Sequence, residues 1–356
     1  MQFDILFPML LFTVTLVSMF LSKKAEAKLK TIVEEKEFRT RDVALLVALI
    51  GVSVSIIVFI PQMAIMAVFL FSYSTLLFTV SYAFSDMSGK RLALFCSATI
   101  IAAMVAGILG FYGFFPSELK TYGTIAFATL TVAALLVLVY ARHKKESKPR
   151  WYAAVLAPAL FLLLFIFFNG TQIWFPFLLD AYGLIFAVLI VLYLSSLFTW
   201  KTAIVFGIAL TVLDIILVWV TGAMVDTANA VSSLGLPVLV AFPTIPLLFT
   251  NEGAIAFLRL GLGDFFFAGI LGTQTMKKFG KKIAVLSVAT MSLSFGIFEL
   301  LLLNPTQFGA LPATLPILLG WLPIVAWKLI SEKSRKNQQH NKGKINAEKV
   351  GVCLPE

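Results

Sequence analysis

From residue 3 to residue 330 the chain is a succession of apolar runs about as long as a bilayer is thick. A helix needs about twenty residues to cross the hydrocarbon core, and only helices and closed barrels satisfy every backbone group there. The runs fall at 3–22, 43–60, 63–84, 92–114, 123–141, 152–168, 174–197, 201–223, 254–276, 283–303 and 311–330. Apolar residues make up 60% of the sequence and charged residues 13%, more apolar surface than a soluble core can absorb. The expected fold class is an all-α polytopic membrane protein with about 11 transmembrane helices. The first run is too long for a removable signal peptide, lacks a basic leading region and is followed by Lys23-Lys24, so it is expected to remain as a span.

Only Pro61-Gln62 separates the second run from the third. The basic residues decide whether the two are distinct. With eleven spans, 26 of the 28 Lys and Arg fall in segments on one side, leaving Lys120 and Arg259 on the other. Such asymmetry marks the cytoplasmic side. Merging 43–84 into one span destroys it. The expected arrangement is an integral, multi-pass protein of the cell membrane, N-terminus outside and C-terminus cytoplasmic. The net charge of +10 then reflects orientation and gives no reason to expect nucleic acid. The polar, basic tail 331–356 is expected to be disordered.

Two cysteines, Cys96 and Cys353, cannot form a disulfide framework or a zinc site. Both histidines, His143 and His340, lie in hydrophilic segments, and no H-E-x-x-H motif occurs. No metal and no organic cofactor are expected. Asn169-Gly170-Thr171 matches a glycosylation sequon on the outer side.

Acids inside a membrane are costly and usually functional. Asp180 and Glu299 lie near span ends, where capping or local pairing accounts for them. Asp214 and Asp264 are deeper. Asp214 lies nine residues before the outer end of 201–223, about 14 Å along a helix. Asp264 lies ten residues into 254–276, about 15 Å along. Antiparallel neighbours would bring the two carboxylates together. Two such groups share a proton, so that one can deprotonate a water while the other donates to a carbonyl. A transporter or ion channel using the same acids as a proton or cation relay is equally compatible with depth and spacing.

Local motifs shift that balance. Gly261-Leu262-Gly263-Asp264 resembles the GxGD signature of intramembrane aspartyl proteases, the presenilin and signal peptide peptidase family. LDIILVWVTGAMV (213–225) resembles the helix that carries the family's other catalytic aspartate, with closest similarity to signal peptide peptidases. LPVLVAFP (236–243) resembles a proline-bounded segment of that branch, and LPATLP (311–316) resembles the family's PAL motif. Leu213 stands where the family usually has tyrosine, and the PAL register is ambiguous by one residue.

The resemblance covers about 213–316. It implies a presenilin-like helical bundle with a nine-helix core and two extra N-terminal helices. Residues 1–60 would be the extra helices, 61–200 the first half of the core, 201–330 the catalytic helices and 331–356 the tail. It implies hydrolysis of peptide bonds within transmembrane segments or remnant signal peptides by Asp214 and Asp264. Gly261, Leu262, Gly263, Pro312, Ala313, Thr314 and Leu315 would bind or position the substrate, and 234–249 would contact it. An extended substrate could add to a strand supplied by 234–249 or by the residues before Gly261. The implied partners are a transmembrane helical protein or peptide and the lipid bilayer. The orientation favours substrates whose N-terminus lies inside.

Overall fold

The computed structural model describes residues 3–29, 37–86, 89–115, 117–143, 150–248, 255, 257–304 and 310–351, with side chains to 334 in the last stretch. The chain runs through α1 (Leu6–Leu29), α2 (Thr40–Ile56), α3 (Gln62–Ala83), α4 (Gly89–Leu109), α5 (Lys120–His143), α6 (Trp151–Ala154), α7 (Leu156–Phe168), α8 (Leu179–Leu194), α9 (Trp200–Ile215) and α10 (Ala223–Ser232). A hairpin of β1 (Leu239–Pro243) and β2 (Phe257–Gly261) follows, and then α11 (Leu262–Phe279), α12 (Lys281–Leu303) and α13 (Thr314–Gly351).

Among the described residues, ten helical stretches are long and apolar enough to cross a membrane. The protein is therefore a polytopic, almost wholly helical membrane protein. The break at Pro61 is present: the second span ends in a 3₁₀ turn (Ile57–Phe59) and α3 begins at Gln62. Proline at the entrance to α3 is sterically at home, because the first helical N–H groups have no partner to lose.

The expected run 254–276 is not one helix. Residues 257–261 form β2, and the helix starts only at Leu262. Asp264 is therefore in the first turn of α11, not ten residues into a helix. With Asp264, Lys277 and Lys278 in 18 residues, α11 is not among the ten helices apolar enough to cross a membrane on their own. Its position explains how that is tolerated. It packs against α1, α8, α9, α12 and α13. From Phe265 to Met276 every residue is buried. A helix walled by protein is not chosen for solubility in lipid, so it can carry Thr273, Gln274 and Thr275 as well. Gln274 Nε2 donates to the carbonyls of Ser195 (3.1 Å) and Phe198 (2.7 Å), and Lys277 pairs with Glu26 at 2.8 Å. These bonds fix the end of α11 remote from Asp264.

The two helices within 1–60, α1 and α2, pack into the bundle. α1 packs against α8, α11 and α12, burying Phe7, Leu11, Val14 and Met19, while α2 packs against α9. The backbone of 331–351, expected to be disordered, continues α13 without a break. Small residues let these helices approach closely, as membrane bundles require. At Gly320 an added Cβ would lie 2.4 Å from the Thr290 carbonyl oxygen of α12.

The hairpin is antiparallel, pairing Leu239 with Gly261, Ala241 with Arg259 and Pro243 with Phe257. Side chains of the bundle hold β1 and the segment before it. Tyr73 donates to the Pro237 carbonyl at 3.1 Å and Trp174 Nε1 to that of Gly235 at 2.7 Å. Asn169 Nδ2 donates to the Leu234 carbonyl at 3.2 Å. Gly235, at φ +63°, is where the chain turns hard against Asn169, whose Oδ1 lies 2.1 Å from the position of a Cβ there. The nitrogen of the sequon is thus engaged by the protein itself.

Candidate functional site

The site forms where α9, α11 and α13 meet beside the hairpin. Asp214 is the penultimate residue of α9, which then widens into a π turn (Ile216–Val220) and stops at Gly222 in a left-handed conformation (φ +70°). Such wide turns are frequent at functional sites. Asp214 is buried, at 9% exposure. Its Oδ2 accepts the Thr314 hydroxyl at 2.6 Å and the Thr314 N–H at 3.4 Å. Thr314 opens α13, so Asp214 caps that helix from a neighbouring one. An anion at a helix N-terminus meets unpaired N–H groups and the positive end of the dipole.

Asp264 occupies the equivalent place on α11. Gly261 is the cap residue of that helix, and Asp264, three positions on, accepts the Gly261 backbone N–H. This is half of a capping box; the other half needs a side chain that glycine lacks. The charge that acts on Asp264 is that of Asp214. The structure thus brings together the two deep acids singled out in the sequence, Asp214 at the end of α9 and Asp264 in the first turn of α11. Asp264 is half-buried.

The other sequence candidates divide into three groups. Gly261 is fixed by Asp264: an added Cβ would lie 3.3 Å from Asp264 Oδ2. Gly263 is exposed, and an added Cβ there meets nothing within 4 Å. Leu262 is buried, and its N–H bonds the Val238 carbonyl at 3.0 Å, closing the hairpin onto the helix. The Thr314 hydroxyl holds Asp214. Pro312 is buried and accepts the Leu315 N–H at 3.2 Å, while Ala313 and Leu315 are half-buried. Trp219 Nε1 donates to the Ala310 carbonyl at 3.1 Å, tying the π turn to the approach to α13. Leu213 fills a notch at Gly51, lying 2.9 Å from the position of a Cβ there, and so serves the packing of α2 on α9. Arg259 is exposed and reaches Ser232 Oγ at 3.4 Å.

The two edges of the hairpin differ among the described residues. In an antiparallel pair, alternate residues point their amide groups outward. The Leu262–Val238 bond sets that alternation, so 241 on β1 and 257, 259 and 261 on β2 point outward. On β1 the Ala241 N–H is taken by Asp180 Oδ1 at 2.7 Å, deep in the protein. On β2 the Gly261 N–H is taken by Asp264. Among the described residues no hydrogen bond takes the outward backbone groups of Phe257 and Arg259, which lie along the strand leading to Asp264. Of the segment 234–249, residues 234–245 are a tethered platform; 249 lies outside the described residues.

Asp180 and Glu299 were expected to cap or pair. Asp180 does so through Ala241. Glu299, 7% exposed, leaves Oε2 without a partner among the described residues. Also among these residues, no cluster of three His, Cys, Asp or Glu could hold a metal ion. Compared with protein-family models, curated proteins and solved structures, the chain matches none.

Proposed function

We propose that the protein is an intramembrane aspartyl endopeptidase of the presenilin and signal peptide peptidase type. Its substrates would be transmembrane segments or remnant signal peptides. The observation that carries this reading is the pairing of Asp214 with Asp264, from different helices, beside the outer edge of β2. One aspartate, ionised, takes a proton from water, and the resulting hydroxide adds to the scissile carbonyl carbon. The other, protonated, gives its proton to the carbonyl oxygen. Collapse of the tetrahedral intermediate returns a hydroxyl proton to the second aspartate and breaks the C–N bond, and the leaving nitrogen takes up the proton that the first aspartate drew from water. Thr314 commits Oδ2 of Asp214, which leaves Oδ1 for this exchange.

A substrate helix hides its carbonyls in its own hydrogen bonds, so it must unwind first. The outward groups of Phe257 and Arg259 offer an unwound segment a strand to join. Exposed Gly263 lets that segment pass close to Asp264.

The test uses purified full-length protein in nanodiscs with a single-span peptide. Cleavage is expected inside the apolar segment. A hydroxyethylene isostere of the cleaved bond should block it, because that hydroxyl imitates the tetrahedral intermediate. Cleavage indifferent to the isostere contradicts the reading. Ion or proton flux without proteolysis favours a relay.

A further inference from the structure

α1 and α12 are neighbours in the bundle. They come close at Pro8 and Gly296, where a Cβ added to the glycine would lie 3.0 Å from Pro8 Cγ. Around that contact runs a groove of about 530 Å³, lined from Ile5 to Phe12 on α1 and from Ala289 to Leu300 on α12. Asp4 and Ser292 are the polar side chains in its wall, and both are buried, so the surface it presents is apolar. Met9, Leu293 and Ile297 on the rim are 60%, 66% and 51% exposed, so the groove opens away from the bundle. Both helices are long and apolar enough to cross a membrane, so in a bilayer that opening faces hydrocarbon.

Dimensions decide what can lie there. From Ala289 to Leu300 the groove follows α12 for about 16 Å. The hydrocarbon core is about 30 Å thick, so the groove runs through one half of it, at the end where α1 meets the hairpin. The chains of a single lipid leaflet fill the same depth. Spread over that length, the volume gives a cross-section of about 30 Å², against roughly 80 Å² for a helix 10 Å across. A partner helix, which also needs the full thickness, does not fit; an extended acyl chain does. A chain in the groove touches protein on two sides, and these contacts, each small, add up.

We propose that the groove between α1 and α12 binds one acyl chain of a bilayer phospholipid, and that this chain steadies the start of α1 against the hairpin. The inference goes beyond the protease reading and does not rest on it. The consequence for the fold follows from what α1 holds. Asp4, in the wall of the groove, accepts the Ile245 N–H at 2.7 Å, just past β1. Phe7, one position before Pro8, packs edge-on against Phe242 of β1, with 6.4 Å between ring centroids. A filled groove braces Ile5 to Phe12 against α12, and so keeps Asp4 and Phe7 on the hairpin that leads to Asp264.

Native mass spectrometry of the full-length protein counts the lipid directly. Protein stripped with detergent and then given palmitoyl-oleoyl phosphatidylcholine should rebind one molecule. Ala289→Phe fills the groove from α12 and Met9→Trp fills it from α1; either should abolish that adduct. Leu286→Phe adds the same ring to α12 at an exposed residue outside the groove and should keep it. Thermal melts check the fold, and where one filled variant fails to fold the other answers the same question. Hydrogen exchange at the Ile245 N–H reads the role of α1: lipid should slow it in the unaltered protein and leave it unchanged in the filled variants. Rebinding of no lipid, an adduct of detergent only, a protein dimer in place of the lipid, or an adduct that the filled variants keep overturns the site. So does its loss in Leu286→Phe. Lipid that binds without slowing exchange at Ile245 overturns the role given to α1.

Discussion

Gly261 and Gly263 flank one leucine, yet the structure gives them different constraints. A methyl at 261 would press on Asp264 Oδ2, and a methyl at 263 would meet open space. Gly261→Ala is expected to lower kcat about tenfold by moving the carboxylate, because misplacement of reacting groups by a fraction of an ångström is costly. Gly263→Ala should leave the melting temperature unchanged and raise KM, because only the substrate meets that surface. Equal effects of the two variants on kcat and KM would contradict this division. Thr314 gives a second test. Thr314→Val removes the 2.6 Å bond to Asp214 while keeping shape, and kcat should fall ten- to a hundredfold. Thr314→Ser should keep most activity. Both aspartates were legible in the sequence because acids are rare in apolar runs. Thr314 was visible only as one letter of a proline-flanked motif. Its bond to a residue 100 positions away has no local signature.

The elements show where reading by hydropathy stops. An apolar run bounded by length alone cannot separate a helix from a strand that enters one, so 254–276 reads as a single span although its first part is β2. The extended segments are distinguishable only through their partners. Asp180, Asn169, Trp174 and Tyr73 all reach the 234–241 stretch from distant helices. Asp180 carries the sharpest expectation at this scale. Asp180→Leu leaves the Ala241 N–H buried without an acceptor, at a cost of about 1–3 kcal/mol. Faster hydrogen exchange at Ala241, together with a lower melting temperature, would report it, and Asp180→Asn should restore both. Unchanged exchange at Ala241 would mean that β1 is held by other bonds.

For the whole molecule, the order of spans and the break at Pro61 follow from apolar lengths and the distribution of Lys and Arg. What the pattern does not carry is which helix lies at the centre. α11 is central, surrounded by α1, α8, α9, α12 and α13. That is why a long helix too polar to be read as a span can lie inside the bundle. The same arrangement brings Asp214 to Asp264 across fifty residues of sequence. If the basic side is cytoplasmic, substrates with their N-terminus inside should be cleaved faster than the same segment reversed; equal rates would remove that preference.

The central claim is that Asp214 and Asp264 act as one catalytic pair. Mass spectrometry of a single-span substrate, incubated with the purified full-length protein and with Asp214→Asn and Asp264→Asn, tests it most directly. The account predicts internal cleavage by the unaltered protein and none by either variant, with all three equally folded. Cleavage retained by either variant would contradict it.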